Sequence, residues 1–395
     1  KPASVQKILT SIIALKKLGP AYRFATRLFL EGYASGSVKK LYVKGFGDPS
    51  FTTESMWVFV RQLRKLGIKK IEHVVFDDTA FVQRPSRTGQ RAYESTASAL
   101  PFNFNSIALE VCPAGSSGAA VVTPDPWDLP IQISGSIRTA LRPAKPITVQ
   151  QRVLQNGSLA FSVAGEIGAG ESCRAIYRSV DEPRRYFAAS FLGFAKLLGI
   201  NVPSAPLFGA TPASARQVYE YKSKPLALIV QDLNHFSTNF IGEQIVFALG
   251  ENGGYYDREK GLERMKAALL AMKVPAAHLQ IRDGSGLSHD NLLTARALSK
   301  FLLSGMADEA IRPDFEASLS VAGRSGTLKK RAFDPPGNVV RAKTGTLNGV
   351  NTLSGFLTSS KGRRLAFTIL QNGVASREQA LALEDQIVES IYRVF

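Results

Sequence analysis

Apolar residues recur at helical spacing at the start of the chain. Val5, Ile8, Ile12 and Leu15 fall on one face of a helix, and Gly19 follows the last of them. Apolar side chains at intervals of three and four residues are typical of an amphipathic helix, and a glycine commonly ends one. The pattern therefore predicts an N-terminal helix with one face packed on a core.

Strand-like and helix-like segments then alternate. Residues 41–43 and 74–76 are short runs of β-forming side chains, and residues 53–66 between them have amphipathic helical spacing. This order predicts a strand–helix–strand unit of the α/β kind. Helical spacing returns at residues 186–198 and in a long stretch that begins near residue 240.

From about residue 100 to 165, prolines separate short apolar runs and the helical periodicity disappears. Such punctuation predicts a small β-rich module. Asn156-Gly157 lies between two of the apolar runs and is typical of the turn of a β-hairpin.

The last third of the chain predicts a sheet followed by a helix. Residues 339–344, 352–358 and 365–370 are strand-like runs separated by turns that contain glycine, which is typical of an antiparallel meander. Ser376 and Gln379 then have the spacing of a capping box at the start of a helix. The apolar stripe of that helix comprises Ala380, Leu383, Ile387 and Ile391.

Composition sets the size class of the protein. With 395 residues, of which 45% are hydrophobic and 21% charged, the chain is long enough for two or three globular domains. No apolar run approaches the roughly 18 to 20 residues of a membrane-spanning helix. We therefore expect a globular protein without a membrane span.

The net charge of +17, from 49 basic and 32 acidic residues, favours a polyanionic partner. The basic residues are mostly scattered pairs, such as Lys39-Lys40 and Arg184-Arg185. A solvated basic surface and a peripheral contact with an anionic surface both fit this distribution. Aromatic residues are not interleaved with the basic ones, so we expect no nucleic acid partner.

The two cysteines, Cys112 and Cys173, both lie in stretches rich in β-forming residues. One disulfide and two buried thiols fit this pattern equally well. We predict that the two side chains face each other across neighbouring strands, where an extracellular or periplasmic environment would oxidise them.

Candidate chemistry begins with Ser4 and Lys7 in the first helix. Residues three apart on a helix share a face, so the lysine amine can reach the serine hydroxyl and accept its proton. A helix N-terminus and an apolar environment would both assist, because desolvation lowers the pKa of a lysine and backbone N–H groups stabilise a developing oxyanion. This spacing is a weak signal by itself.

Two further motifs carry hydroxyl, amide and amine groups. Ser237-Thr238-Asn239 precedes the helical stretch near residue 240, where it could relay a proton and bind a substrate amide, or cap the helix. Lys343-Thr344-Gly345-Thr346 lies at the end of a predicted strand, where it could bind a carboxylate or form an ordinary strand end with a solvated lysine.

In this order, Ser-x-x-Lys, Ser-x-Asn and Lys-Thr-Gly are the signature of penicillin-binding proteins and serine β-lactamases. The chain resembles in particular the type-4, or class C low-molecular-mass, penicillin-binding proteins, which are D-alanyl-D-alanine carboxypeptidases and endopeptidases. The resemblance also covers LYVKGFGDP at 41–49, ALPFNFN at 99–105, DGSGLS at 283–288 and residues 345–356. It therefore spans most of the chain.

This resemblance implies a serine hydrolase mechanism. It makes Ser4 the nucleophile, Lys7 the base of acylation and Ser237 the proton relay to the leaving amine. Asn239 would bind a substrate amide, and Lys343 would belong to the edge that holds the substrate carboxylate and the oxyanion. The further substrate-binding residues that it implies are Thr344, Gly345, Thr346 and Asn348.

The resemblance also implies an α/β (α+β) fold, in which the catalytic domain is an antiparallel sheet flanked by helices, as in penicillin-binding proteins and serine β-lactamases. Ser4 and Ser237 are 233 positions apart, which implies inserted α/β and β-rich accessory domains. The expected domains are a discontinuous catalytic domain of residues 1–38 and 215–395, an inserted domain of residues 39–100 and 160–214, and a β-rich module of residues 101–159.

The implied substrates are peptidoglycan stem peptides and cross-links, with β-lactam antibiotics as acylating ligands. The implied location is the periplasm, and we expect that a signal peptide has been removed or left out before Lys1. No cofactor and no metal site are expected, because the sequence has no dinucleotide loop, phosphate-binding loop or His-Glu-x-x-His motif. Two alternatives stay open: a serine β-lactamase-like hydrolase, and a non-catalytic binder of an anionic cell-wall polymer.

Overall fold

The computed structural model describes residues 1–85, 89–126, 131–154, 159–275, 277, 279–331, 333 and 339–395. The chain divides into two compact units, one of residues 1–23 and 224–395 and the other of residues 24–223. The first unit is therefore discontinuous in sequence, and the second is inserted after its first helix. None of the described helices is both long enough and apolar enough to cross a membrane.

The described helices and strands mix both element types along the whole chain. The helices are α1 (Gln6–Leu18), α2 (Thr53–Lys65), α3 (Pro183–Leu197), α4 (Leu226–His235), α5 (Asn239–Leu249), α6 (Arg258–Ala271), α7 (Ala295–Ala307), α8 (Arg312–Ser318) and α9 (Arg377–Val394). The strands are β1 (Ala25–Ala34), β2 (Ser37–Gly45), β3 (Lys70–Asp77), β4 (Ser106–Cys112), β5 (Gly118–Ala119), β6 (Val121–Asp125), β7 (Gln132–Ala140), β8 (Thr148–Val153), β9 (Leu159–Gly168), β10 (Arg174–Ser179), β11 (Leu207–Phe208), β12 (Arg216–Lys222), β13 (Glu251–Asn252), β14 (Tyr255–Tyr256), β15 (Ser320–Val321), β16 (Val340–Leu347), β17 (Val350–Thr358) and β18 (Arg364–Asn372).

The boundaries of the inserted unit differ from the expected residues 38 and 215. They fall at Arg23/Phe24 and Ser223/Lys224. The reason is that β1 pairs antiparallel with both β2 and β12, so the segments at both ends of the insertion belong to its own sheet. The sequence pattern had not identified β1 or β12 as strands.

The inserted unit is built on a five-stranded mixed sheet in the order β11-β3-β2-β1-β12. β2 and β3 are parallel and are joined by α2, which confirms the predicted strand–helix–strand unit. Phe59 of α2 contacts Phe191 of α3 with ring centroids 6.1 Å apart. Aromatic side chains of this size dominate the apolar area that a core buries.

The β-rich part of the inserted unit forms two small sheets, β10-β4-β6 and β5-β7-β9-β8. β8 and β9 pair antiparallel as far as Val153↔Leu159, as the hairpin signal predicted, while Asn156-Gly157 itself lies outside the described residues. A continuous cluster of buried apolar side chains runs from the five-stranded sheet into both small sheets. The core therefore does not separate the expected module of residues 101–159 from the rest of the inserted unit.

α1 is the central helix of the first unit. Every residue from Gln6 to Leu15 is buried, including the polar ones, whereas the sequence predicted a single buried face. The difference arises because α4, α5 and α7 all contact α1, and the turn that precedes α1 packs on β16 and β17. The long helical stretch predicted from about residue 240 is two helices, α5 and α6, with the short β13–β14 hairpin between them.

β16, β17 and β18 form the predicted antiparallel meander, and the short β15 pairs with the other side of β16. β16 continues to Leu347, so the Lys343-Thr344-Gly345-Thr346 motif lies inside a paired strand and not at its end.

The Ser376 side chain accepts a hydrogen bond from the Gln379 N–H at the start of α9, as predicted. Leu383 was predicted to lie in the buried apolar stripe of α9, but its side chain is 47% exposed. Glu384 is the buried residue at this turn, where it forms an ion pair with Arg331.

Cys112 at the end of β4 and Cys173 beside β10 form a disulfide, with Cα atoms 4.2 Å apart. β4 and β10 are neighbouring antiparallel strands, so the predicted pairing is confirmed. The bond links residues 61 positions apart and encloses the segment that contains β5 to β9.

Removal of this disulfide is expected to lower the free energy of unfolding of the inserted unit. A cross-link over a loop of this length stabilises a fold by roughly 2–4 kcal/mol, largely by restricting the unfolded chain. The double variant Cys112→Ser/Cys173→Ser should therefore unfold at a lower urea concentration than the oxidised wild type. Wild type treated with a reductant should match the variant, and an unchanged midpoint in both samples would contradict the prediction.

Candidate active site

Ser4 lies in a 3₁₀ turn, Ala3–Val5, that leads directly into α1. Lys7 follows in the first turn of α1, and its Nζ is 2.9 Å from Ser4 Oγ. The contact predicted from the three-residue spacing is therefore present. It places an amine within proton-transfer distance of a hydroxyl.

Lys7 is completely buried, and its Nζ lies within hydrogen-bond distance of three oxygen atoms. These are Ser4 Oγ at 2.9 Å, Asn239 Oδ1 at 2.7 Å and the Ser285 carbonyl oxygen at 2.6 Å. Burial lowers the pKa of Lys7 to about 7, against the opposing negative charges of Asp283 and Glu243. A large fraction of the side chain is consequently neutral at neutral pH and able to accept a proton.

Ser237 and Asn239 do not cap α5, which was the alternative that the sequence left open. Thr238 is the N-cap residue, and no side chain caps the helix there. Ser237 has a φ of 57°, a left-handed conformation that is uncommon for a residue with a side chain. Its Oγ accepts a hydrogen bond of 2.9 Å from Lys343 Nζ, while Asn239 accepts one from Lys7. Both side chains are therefore aimed at buried lysines.

Lys343 is not the solvated lysine of an ordinary strand end, because it is completely buried. Its Nζ donates to Ser237 Oγ at 2.9 Å and to the Thr344 carbonyl oxygen at 2.7 Å. Burial, together with the nearby Lys7, lowers the pKa of Lys343 well below its ordinary value. The site thus contains two buried amines whose pKa values are both lowered by burial.

Gly345 brings β16 against the start of the first helix. A Cβ atom at this position would lie 2.3 Å from Thr352 Oγ1, 2.8 Å from Ser4 N and 3.0 Å from Val5 N. Thr352 Oγ1 also donates to the Pro2 carbonyl oxygen at 3.0 Å, which holds the same junction together. Only glycine permits this approach, so the motif sets the distance between the strand and Ser4.

A cavity of about 550 Å³ opens along β16. β15 pairs only with Arg341 and Ala342, so within the described residues the second edge of β16 has no strand partner from Lys343 to Leu347. Predicted site residues that line the cavity are Ser4, Ser237, Thr344, Gly345 and Thr346. An unpaired strand edge beside a nucleophile can accept an extended peptide as an additional strand.

Asn348 does not join this cavity. It lies in the turn between β16 and β17, is exposed, and lines an adjoining cleft of about 200 Å³ that shares Thr346, Asn351 and Arg377 with the cavity. The other predicted site residues are brought together by the fold.

The DGSGLS segment, noted in the sequence only as part of the resemblance, forms the wall beside Lys7. Asp283 accepts hydrogen bonds from the Gly286 and Ser288 N–H groups, both at 2.6 Å, and so closes the loop. Gly286 has a φ of 79°, and a Cβ there would lie 1.9 Å from the Ala3 carbonyl oxygen. This loop conformation directs the Ser285 carbonyl at the Lys7 amine.

Three residues around the site were not identified from the sequence. Thr327 Oγ1 accepts from Thr344 Oγ1 at 2.8 Å, and Glu243 accepts from two N–H groups of the DGSGLS loop. Asn351 is 3% exposed and lines the cavity, and its Nδ2 has no hydrogen-bond partner among the described residues. Of these three residues, only Glu243 could have been identified from the sequence, because it lies one helical turn after Asn239 and so shares its helix face.

Comparison with known proteins gives consistent matches over the whole chain. Residues 1–394 match the D-Ala-D-Ala carboxypeptidase 3 (S13) family. The chain is 30% identical to a D-alanyl-D-alanine carboxypeptidase of Actinomadura sp. (strain R39), over 98% of this chain and 76% of that protein. It is 27% identical to the D-alanyl-D-alanine carboxypeptidase DacB of Haemophilus influenzae, over 95% of this chain and 81% of that protein.

The fold is also similar to a crystal structure of penicillin binding protein 4 (dacB) from Haemophilus influenzae. The TM-score is 0.85 at 25% identity, over 99% of this chain and 91% of that chain. The expected fold class is therefore confirmed.

Gly345→Ala is expected to reduce acylation of Ser4 by more than about 100-fold, because the added methyl group would push β16 away from the nucleophile and misplace the reacting groups. The matched control is Gly349→Ala in the adjoining turn, where a Cβ would meet no atom within 4 Å and only the left-handed φ of 68° is strained. Covalent labelling with benzylpenicillin, followed by intact-mass spectrometry over time, measures both rates. Equal rates for the two variants would refute the role given to Gly345.

Proposed function

The chain belongs to the D-Ala-D-Ala carboxypeptidase 3 (S13) family of serine peptidases, and on that premise we propose that it cleaves D-alanyl peptide bonds of peptidoglycan through an acyl-enzyme on Ser4. The observation that carries the assignment of Ser4 is the fully buried Lys7 amine at 2.9 Å from its hydroxyl oxygen. Among the residues that line the cavity, Ser4 is the one whose hydroxyl contacts this base.

Acylation begins when Ser4 Oγ attacks the carbonyl carbon of the D-alanyl bond and neutral Lys7 accepts the hydroxyl proton. The negative charge that develops on the carbonyl oxygen is stabilised by the backbone N–H groups of Ser4 and Thr346. The contact of Gly345 with the Ser4 N–H supports this assignment, because it brings the strand and the helix start to the same point.

The leaving amine requires a proton when the C–N bond breaks. Ser237 is suited to relay it, since its Oγ is hydrogen-bonded to Lys343 and lines the cavity with Ser4. Over the whole step one proton leaves the Ser4 hydroxyl and one reaches the leaving amine, so the ester on Ser4 and the free amine form without net proton loss. Water then attacks the ester and releases the acyl product.

The substrate carboxylate is assigned to the hydroxyl groups of Thr344 and Thr346 on the unpaired edge of β16. Thr344 Oγ1 donates to Thr327 Oγ1 at 2.8 Å in the free site, and Thr327 would donate instead in the complex, which frees the Thr344 proton for the carboxylate. A peptide that lies along this edge as an extra strand presents its terminal carboxylate there and its carbonyl to Ser4. Asn239, whose Oδ1 accepts from Lys7 Nζ at 2.7 Å, is assigned to the substrate amide.

Peptidoglycan stem peptides and cross-links are the proposed substrates, and β-lactam antibiotics are proposed to acylate Ser4 as substrate mimics.

We assign the protein to the periplasm, in agreement with the disulfide, which forms in oxidising compartments. The buried Lys7 amine beside the Ser4 hydroxyl favours this hydrolase over a non-catalytic binder of an anionic polymer. The β-lactamase alternative differs in the fate of the adduct, since a β-lactamase would release hydrolysed penicillin rapidly.

Benzylpenicillin is expected to add its mass once to the wild-type chain, at Ser4. Ser4→Ala should abolish the adduct, and Lys7→Ala should slow its formation by several orders of magnitude, as loss of an activating base does. Intact-mass spectrometry and peptide mapping measure the adduct and its position. Ser11→Ala, at another buried serine of α1, is the control and should leave the adduct in place. An adduct that persists in Ser4→Ala would refute the mechanism.

The acylation rate of the wild type is expected to rise as the pH increases through about 7. The pKa of Lys7 is lowered to about 7, so the amine is protonated and inactive below this pH and neutral and active above it. The apparent rate constant for benzylpenicillin, measured between about pH 5 and 11, gives the midpoint. A midpoint near the ordinary lysine value of 10.5 would exclude Lys7 as the base in this buried state.

A further inference from the structure

Glu243 lies behind the Lys7 amine and is outside the set of residues that contact the substrate in the proposed mechanism. Its side chain is 18% exposed, and Oε1 accepts the N–H groups of Gly284 at 3.0 Å and Ser285 at 3.1 Å. Ser285 in turn offers its carbonyl oxygen to Lys7 Nζ at 2.6 Å. One residue of the DGSGLS loop therefore connects the Glu243 carboxylate with the Lys7 amine.

Charged groups from several elements interact with the Lys7 amine. They are Glu243 of α5, Asp283 of the DGSGLS loop and Lys343 of β16. On its outer side, Glu243 Oε2 lies 3.5 Å from an amino group of Arg258 in α6.

These charges act on both groups over the same pH range. The negative charges of Asp283 and Glu243 raise the pKa of Lys7 against the larger effect of burial. Burial and Asp283 raise the pKa of Glu243 to about 7, and Arg258 opposes them. Two interacting groups that titrate in the same pH range have apparent pKa values that belong to the pair. When the Glu243 carboxylate is ionised, its negative charge stabilises the protonated form of the Lys7 amine.

We propose that Glu243 is a positioning residue for the acylation base, because it fixes the loop that directs the Ser285 carbonyl at Lys7 and its charge sets the pH range in which Lys7 can accept the Ser4 proton. This inference rests on the proposed function, since it requires Lys7 to be the base. It assigns Glu243 no contact with the substrate.

Glu243→Gln tests the charge. Glutamine retains an oxygen that can accept from the loop N–H groups, but it removes the negative charge near Lys7. The acid limb of the benzylpenicillin acylation profile should therefore move to lower pH, by roughly one pH unit. The plateau at alkaline pH should stay within about threefold of the wild type, because the loop is still held and most of Lys7 is neutral there.

Glu243→Asp tests the positioning. Aspartate retains the charge but is shorter by one methylene group, so it cannot reach both N–H groups of the loop. The acid limb should stay near its wild-type position, while the plateau rate should fall by about tenfold as the Lys7 environment loosens. This variant also decides the proposal if Glu243→Gln fails to fold.

The matched control is Glu259→Gln. The Glu259 carboxylate lies 3.3 Å from the same Arg258, but its side chain is 68% exposed. Its acid limb and plateau should both equal those of the wild type. An acid limb that does not move in Glu243→Gln, or a wild-type plateau in Glu243→Asp, would overturn the inference while the Ser4 adduct still forms. Absence of the adduct from the wild type would instead refute the proposed function.

Discussion

Complete burial of the Lys7 side chain is the constraint on which the rest of the site depends. An isolated ammonium group in a protein interior is strongly destabilised, and its pKa falls until the neutral form is populated. Lys7 is buried because α1 is the central helix of its unit and is covered on all sides. The same packing that stabilises the helix therefore converts an ordinary lysine into a base at neutral pH.

Each group that contacts this amine comes from a different part of the chain. Asn239 is supplied by α5 and Ser285 by the DGSGLS loop, while Gly345 brings β16 to the other side of Ser4. Lys343, on the same strand, adds a second buried amine, whose pKa is lowered by burial and by the charge of Lys7. The arrangement is closely packed, because neighbouring backbone atoms at both Gly345 and Gly286 leave no room for a side chain.

The site also contains features that an apolar core would not retain. Burial of Lys7 and Lys343 is unfavourable for their charged forms. The left-handed Ser237 and Asn351 Nδ2, which has no partner among the described residues, each lower the stability of the fold by an amount on the order of 1–3 kcal/mol. Their concentration around one cavity is typical of a functional site, where local stability is given up for chemistry. The inserted unit is stabilised differently, by an aromatic core and a disulfide.

The sequence by itself determined what local geometry controls. The Ser4–Lys7 contact follows from helical spacing, the β16–β18 meander from alternating apolar runs, and the signature motifs predicted the fold class. Only the tertiary structure decided which surfaces these elements cover. The bond from Lys7 to Asn239 spans 232 positions and that from Lys343 to Ser237 spans 106, so no local pattern could predict that Ser237 and Asn239 face lysines and do not cap a helix. For the same reason, three features became visible only in three dimensions: the burial of α1 on every face, the place of Asn348 in an adjoining cleft, and the place of Glu243 behind the base. Periodicity identifies the faces of an element, but distant segments determine what lies against them.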